Sequence, residues 1–271
     1  MPDQKNFGFI GGGNMGEALI KGLLRASLCA AGHIHVFDVS PARLRDLEST
    51  YGVRCRSSAA EAADSAQAIF LAVKPQHMGP ALDGIASHLS RGQLIISIAA
   101  GIPISMIAGA LPEGQPIIRV MPNTPALVLQ GASALARGRH ATDEHMDLAL
   151  GLFRSVGTAV EVEEKLMDAV TGLSGSGPGY VLLIIESLIE AAVLLGLPRA
   201  VARELVLQTV SGTAGLVRET GRHPAELKDL ITSPGGTTIR GLHVLEERGL
   251  RGALMSAVEA AALRSSELGK K

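Results

Sequence analysis

Phe7-Gly8-Phe9-Ile10-Gly11-Gly12-Gly13-Asn14-Met15-Gly16 is the stretch that decides the fold. The apolar run Phe7 to Ile10 reads as a strand that ends abruptly in a glycine turn. After the turn, Ala18, Leu19, Gly22, Leu23 and Leu24 recur at helical spacing, so the unit is strand, GxGxxG, helix. That order is a dinucleotide-binding fingerprint. Side chains at Gly11 and Gly13 would block the tight turn and hold the backbone amides away from a pyrophosphate, and Gly16 lets helix and strand pack closely. The N-terminus of the helix then faces the anion. A glycine-rich turn alone also fits a purely structural role. The strand before it and the helix after it favour a nucleotide.

Outward from this unit, short β-rich runs alternate with helical patterns through the first 160 or so residues. Ile34 to Phe37, Ala68 to Val73, Leu94 to Ile98 and Ile117 to Val120 are the clearest strands. They lack a polar alternate face, as expected of parallel strands covered on both sides. The alternation predicts a doubly wound α/β sheet, whose ligands sit beyond the carboxyl ends of the strands.

Asp38 ends the second strand, 22 residues after Gly16, where an acidic residue holds the adenosine ribose hydroxyls of NAD. It would repel a 2′-phosphate, which argues for NAD(H). Ser40 and Arg43 follow, however, and a hydroxyl with a guanidinium suits a 2′-phosphate. Asp38 or Ser40 as a simple cap of the helix beginning near Pro41 is the third option. Lys74 ends the next long strand and reads equally as a cofactor contact or a solvated loop lysine. Ala99-Ala100-Gly101 are small enough for a flat ring to approach the backbone. In Met121-Pro122-Asn123-Thr124-Pro125 two prolines stiffen a loop, which suits either a pocket wall or a plain connector.

Composition narrows the function. A formal net charge of -1 and 3% aromatic residues, with no Trp, argue against nucleic acid. Cys29 and Cys55 stand alone and the eight histidines form no HxxxH or HExxH arrangement, so no metal site is expected. Met1 to Phe9 holds no apolar leader core, so a cytoplasmic protein is expected. Gln93 to Pro112 carries no charge, yet Gly101 and Pro103 divide it into a strand, a turn and a helix, so it is not read as a membrane span. Tyr180 to Leu197 reads as a core helix.

From Glu163 the texture becomes helical, with runs at Leu166 to Leu173, Pro178 to Leu195, Pro198 to Glu219, Pro224 to Ile231, Thr237 to Arg248 and Leu250 to Leu268. Proline near helix starts and glycine near helix ends support these breaks. Two domains are expected, 1–162 for the dinucleotide and 163–271 helical. The helix after Pro178 is apolar nearly all round and should be buried on every side, which in so small a domain favours an oligomer interface. Leu173 to Gly179 and Thr232 to Thr238 are read as glycine-rich turns before helices, each an interhelical turn or, together, an anionic substrate site.

The motifs together resemble the pyrroline-5-carboxylate reductase family over nearly the whole chain. The likeness rests on Phe9 to Met15, Ala72 to Gln76, Val120 to Pro125, Thr171 to Pro178 and Leu227 to Thr238. It implies an N-terminal Rossmann domain and an all-helical dimerisation domain, with dimers assembling further into a decamer. The implied reaction is reduction of Δ1-pyrroline-5-carboxylate to L-proline by NADPH or NADH. By motif, Gly12, Asn14, Met15, Ser40, Val73, Lys74 and Ala100 match cofactor positions; Glu164, Thr237 and Thr238 match substrate positions. In that picture the Gly236 to Thr238 backbone holds the substrate carboxylate and the Thr238 hydroxyl bonds the ring nitrogen. Family members commonly have Asn at the positions of Ala59 and Leu230, which leaves the choice between NAD and NADP open. The rivals are a 3-hydroxyacid or 6-phosphogluconate type of dehydrogenase, which needs a helical-domain lysine, and a non-catalytic nucleotide sensor.

Overall fold

The computed structural model describes residues 5–64 and 66–269. The outer ends of the two expected domains, and the part of the Met1 to Phe9 reading that falls on residues 1–4, lie outside the described residues.

Eight strands form one sheet among the described residues: β1 (Phe7–Ile10), β2 (Ile34–Phe37), β3 (Arg54–Cys55), β4 (Ala68–Leu71), β5 (Leu94–Ser97), β6 (Ile117–Met121), β7 (Gly131–Arg137) and β8 (Gly157–Glu161). Their order is β3-β2-β1-β4-β5-β6-β7-β8. The first six follow the doubly wound order, so the winding reverses between β1 and β4 and leaves a crevice there. Ile10 stands level with Phe37 on one side and Leu71 on the other. Both neighbouring strands therefore end where the glycine turn begins.

The sheet departs from a wholly parallel reading at one point: β7 runs antiparallel to β6 and parallel to β8. Residues 131–137, Gly-Ala-Ser-Ala-Leu-Ala-Arg, carry almost no β-branched or aromatic side chains, which is why this strand is silent in the sequence. The run Ala68 to Val73 is also shorter than expected. Its ladder ends with Ala72 N donating to Ile10 O at 2.8 Å, and Val73 and Lys74 leave the sheet.

Helices cover both faces. Against one face α1 (Asn14–Arg25), α2 (Pro41–Tyr51) and α6 (Asp143–Arg154) close over Phe7, Phe9, Phe70 and Val120. On the other, α3 (Ala59–Ala63), α4 (Met78–Ala86) and α5 (Ile104–Ala110) cover Ile10, Ile69, Leu71 and Ile95. Phe70 is the hub of the first core. It stacks on Phe9 with centroids 4.4 Å apart and meets Phe7 at 6.4 Å and Phe153 of α6 at 6.3 Å.

Beyond β8 come α7 (Met167–Val170), a π-helical turn (Thr171–Gly175), α8 (Gly177–Leu194), α9 (Arg199–Thr220), α10 (Pro224–Leu230), α11 (Thr237–Glu247) and α12 (Leu250–Leu268). The glycine turn expected from Leu173 to Gly179 is therefore corrected: the chain keeps winding, with Ser176 N reaching Thr171 O at 2.8 Å. Hydroxyls bond back along this stretch, Thr171 Oγ1 donating to Met167 O and Ser174 Oγ to Val170 O. No array of spare amides remains there.

The chain divides into two compact units, Met1–Ser176 with Glu259–Lys271, and Gly177–Val258. In the second unit Ala202 and Leu227 are the buried apolar residues. The reading of Tyr180 to Leu197 as a core helix is corrected for the single chain: no residue of α8 is buried, because the few helices of this unit do not surround it. Glu164–Leu194 is one helical run of 31 residues, long and apolar enough to cross a membrane by length and composition.

Replacing the hub, Phe70→Ala, is expected to destabilise the protein by about 3–5 kcal/mol. Val128→Ala, at a side chain 68% exposed, should change stability by less than about 0.5 kcal/mol. Urea unfolding followed by circular dichroism at one protein concentration reads both.

Candidate functional site

The geometry of the glycine turn follows from how little room it has. Gly11 adopts φ +103°, and a Cβ on it would stand 2.6 Å from Ala72 O. A Cβ on Gly16 would stand 2.7 Å from Gly11 O, so α1 lies against the turn as closely as glycine allows. Gly13 is the contrast: no atom lies within 4 Å of its added Cβ. Gly13 and Asn14 are exposed at the start of α1, where no side chain caps the helix. The first-turn amides and the positive end of the helix thus face open space, an arrangement that fits a pyrophosphate.

Of the expected cofactor residues, Gly11, Gly13, Asp38, Val73 and Lys74 meet around one cavity of about 440 Å³ between the ends of β1, β2 and β4. Ala59 lines it too, presenting a methyl group. Gly12 and Gly16 are buried behind the turn, and Asn14, Met15, Ser40 and Ala100 lie outside the cavity lining. Sequence reasoning missed Val39, His77 and Pro80 in the wall. The topology was a usable signal for the last two, since α4 begins just past the end of β4, at the reversal point.

The corner after β2 is tightly bonded. Asp38 Oδ2 accepts from Gly12 N and Oδ1 from Ser40 N, both at 2.8 Å. Ser40 caps α2 by accepting from Arg43 N. Arg43 donates through Nε to Gly12 O, through Nη1 to Asp46 at 2.8 Å, and through Nη2 to Glu17. Glu17 also accepts from Tyr51 Oη at 2.8 Å. The Arg43 hydrogen bond holds the Glu17 carboxyl below its usual range, while burial and the Glu17 carboxylate push the Tyr51 phenol up.

Glu164 sits in the 3₁₀ turn Glu164–Leu166 after β8. Its Oε1 accepts from Ile104 N at 2.7 Å and pairs with Arg119 Nη1 at 3.4 Å. Arg119 is 6% exposed and approaches Asp168 at 4.0 Å; Asp168 in turn accepts from Ser265 Oγ of α12 at 2.7 Å. This network around Glu164 was not anticipated. A single arginine inside the apolar run Ile117 to Val120 was the available sign, because a buried charge demands a partner.

In the second unit Gly236 is the N-cap of α11, with no side-chain cap. Its N–H donates to Ser233 O at 3.0 Å, and Gly235 holds φ +70°. Thr237 is exposed, Thr238 half-buried, and their amides open the helix as an anion would require. Leu230 is 68% exposed. Among the described residues no cluster of His, Cys, Asp and Glu has the make-up of a metal site, and burial pushes the Cys29 thiol up to about 11.

Comparison with known proteins covers both halves. Residues 164–268 match the family model described as pyrroline-5-carboxylate reductase dimerisation, and residues 6–101 match one described as NADP oxidoreductase, coenzyme F420-dependent. The pyrroline-5-carboxylate reductase of Methanosarcina acetivorans is 48% identical over 100% of both chains. That of Escherichia coli is 43% identical over 98% of this chain and 99% of its own. Among solved structures, a pyrroline-5-carboxylate reductase from Coxiella burnetii superposes with TM-score 0.93 at 36% identity, covering 99% of this chain and 100% of that one. The Plasmodium falciparum pyrroline carboxylate reductase with NADP bound gives 0.89 at 36% identity, with 99% of each chain covered.

Gly13→Ala separates fold from binding. The open space around Gly13 predicts a stability loss of about 1 kcal/mol or less from the poorer N-cap, with dinucleotide affinity falling at least about tenfold as the methyl group occupies the ligand's place. Thermal unfolding and titration calorimetry check the two halves separately.

Proposed function

This chain belongs to the pyrroline-5-carboxylate reductase family, and we propose on that basis how its residues divide the work. It is an NAD(P)H-dependent oxidoreductase of the CH–NH group that reduces the C=N bond of Δ1-pyrroline-5-carboxylate to give L-proline, the last step of proline biosynthesis. The observation that carries this is likeness over the full length, since it includes the Thr232 to Thr238 segment that a bare nucleotide sensor would not need.

When bound, the reduced nicotinamide supplies the hydride. The open amides beside Gly13, Asn14 and Met15 hold the pyrophosphate, with Gly11, Gly12 and Gly16 shaping the turn behind them. Asp38 and Ser40 would receive the adenosine ribose, and Val73, Lys74 and Ala100 would be further cofactor contacts. On the substrate side, the backbone from Gly236 to Thr238 takes the carboxylate at the start of α11. Thr238 Oγ1 accepts the N–H of the protonated imine, which favours the cationic form and orients the ring. A protonated imine is already a strong hydride acceptor, so positioning within roughly 3–3.5 Å is the protein's main task. Glu164 is the substrate-binding residue of the first unit. The Ile104 amide and the Arg119 guanidinium fix its carboxylate, so Arg119 acts through Glu164 and not on the substrate.

In this reading residues 1–162 serve the cofactor and 163–271 serve substrate and assembly. The protein is an oligomer built on its dimerisation domain, and we extend this to dimers gathered into a decamer. The apolar face of Glu164–Leu194 is covered by a second chain and not by lipid, supported by the dimerisation match across it. Cys29 and Cys55, both unpaired, support a cytoplasmic setting; neither nucleic acid nor membrane enters as a partner.

Mixing the protein with pyrroline-5-carboxylate and reduced cofactor should consume the cofactor's absorbance; no loss with either NADH or NADPH overturns the reading. Thr238→Ala should lower kcat by on the order of 10²-fold while leaving cofactor Kd within about twofold, and near-normal turnover would remove Thr238 from the mechanism. Leu183→Glu, at a side chain 64% exposed in the single chain, should shift the protein toward monomer in size-exclusion chromatography with light scattering.

A further inference from the structure

We propose that this chain selects NADH over NADPH, and that the Asp38 carboxylate, with Arg43 locked behind it, is the specificity determinant. The inference rests on the dinucleotide site assigned above and concerns one corner of it, the end of β2.

A 2′-phosphate needs donors and positive charge. Its charge near neutral pH is about −1.5 to −2, carried on acceptor oxygens with almost no proton to give. The residues after β2 that suit it by type are Ser40 and Arg43, and most of their donors are already engaged. Arg43 spends Nε on Gly12 O, Nη1 on Asp46 and Nη2 on Glu17. Its side chain is 23% exposed, and Glu17 is itself fixed by Tyr51. Turning the guanidinium to a phosphate would break three bonds, one of them to the half-buried Glu17 carboxylate. The Ser40 N–H goes to Asp38, the Ser40 hydroxyl oxygen accepts from Arg43 N, and Pro41 has no N–H to offer. What remains is one neutral hydroxyl hydrogen and the two second hydrogens of Nη1 and Nη2, on a guanidinium whose direction three bonds already fix.

Charge points the same way. Asp38, Glu17 and Asp46 set three carboxylates against the one guanidinium of Arg43 in this corner. The basic side chains in the cavity wall, Lys74 and His77, come from the end of β4 and the turn after it, on the opposite side of β1 from β2. A 2′-phosphate would therefore meet an uncompensated carboxylate, a like-charge contact that costs strongly.

Asp38 is at the same time well prepared for two hydroxyls. Each of its oxygens accepts one backbone N–H, and a carboxylate has about four acceptor positions, so each oxygen keeps a lone pair for an incoming O–H. The two backbone bonds also fix its orientation before any ligand arrives, so no side-chain freedom is lost on binding. Ribose hydroxyls donate where a phosphate cannot.

Titration calorimetry with NADH and with NADPH tests this on the intact protein, with kcat/KM for each cofactor as a second readout. NADH should bind at least about tenfold tighter, and Asp38→Ser should shrink that ratio at least tenfold. Asp38 also ties down Gly12, so Glu17→Ala, which removes the acceptor of Arg43 Nη2 and leaves Asp38 in place, serves as a second variant; it should tighten NADPH and leave NADH unchanged. Equal or tighter NADPH binding by the wild type overturns the preference while leaving the dinucleotide site standing. A preference that neither variant moves overturns the assignment to this corner. Binding of neither cofactor overturns the site itself.

Discussion

A gap too narrow for a side chain controls this structure: at Gly11 the chain leaves β1 with a positive φ, and a methyl group there would overlap the Ala72 carbonyl at the end of β4. Because β1 can end flush against β4, the reversal of winding lies beside the turn and not beyond it. Because Gly16 then meets Gly11 closely, α1 starts where its uncapped amides look along the same crevice. Sheet order, helix direction and anion site are consequences of one backbone contact. A larger residue at 11 would disturb all three together, whereas one at 13 reaches only the ligand's space.

The turn is not left to hold itself. Gly12 donates to Asp38 of the strand on its other flank and accepts from Arg43 of α2, so its backbone is gripped from both sides by charged groups. A charge-assisted hydrogen bond is shorter and stronger than a neutral one, and here two of them define the height of the glycine loop above the sheet. The same side chains that stiffen the loop thereby lose the freedom to respond to a ligand. On the proposals above, rigidity of the glycine loop and discrimination at the ribose have a common origin.

Much of this was legible in the chain. The strand, glycine turn and helix at Phe7 to Arg25, and the acid ending β2, depend on local periodicity and spacing, which a sequence displays directly. The helix limits from Pro198 onward follow proline and glycine punctuation, as at Pro224 and at Gly221 with φ +62°. Three features were hidden for physical reasons. β7 is made of small residues whose pairing comes from their neighbours and not from propensity. The π-helical turn depends on hydroxyls at Thr171 and Ser174 bonding back along the chain, a choice that glycine-rich composition disguises as a loop. The Arg119 network joins positions 45 and 97 residues apart, a separation at which sequence alone shows an odd charge and not its partner.

The second unit raises a different question, because an apolar helix 18 residues long without a buried residue is not stable in water by itself. Burying one leucine side chain is worth about 1.5–3 kcal/mol, and Leu182, Leu183 and Leu188 stand at 64%, 64% and 45% exposure in the single chain. Ala202 and Leu227 supply little core of their own, so the hydrophobic stabilisation of residues 177–258 must come largely from association through the dimerisation domain. The segment Gly235 to Thr238 belongs to this unit. On the proposal above, its hold on a substrate carboxylate would be only as firm as the assembly that orders α11, which would tie the chemistry of the imine to oligomerisation through packing.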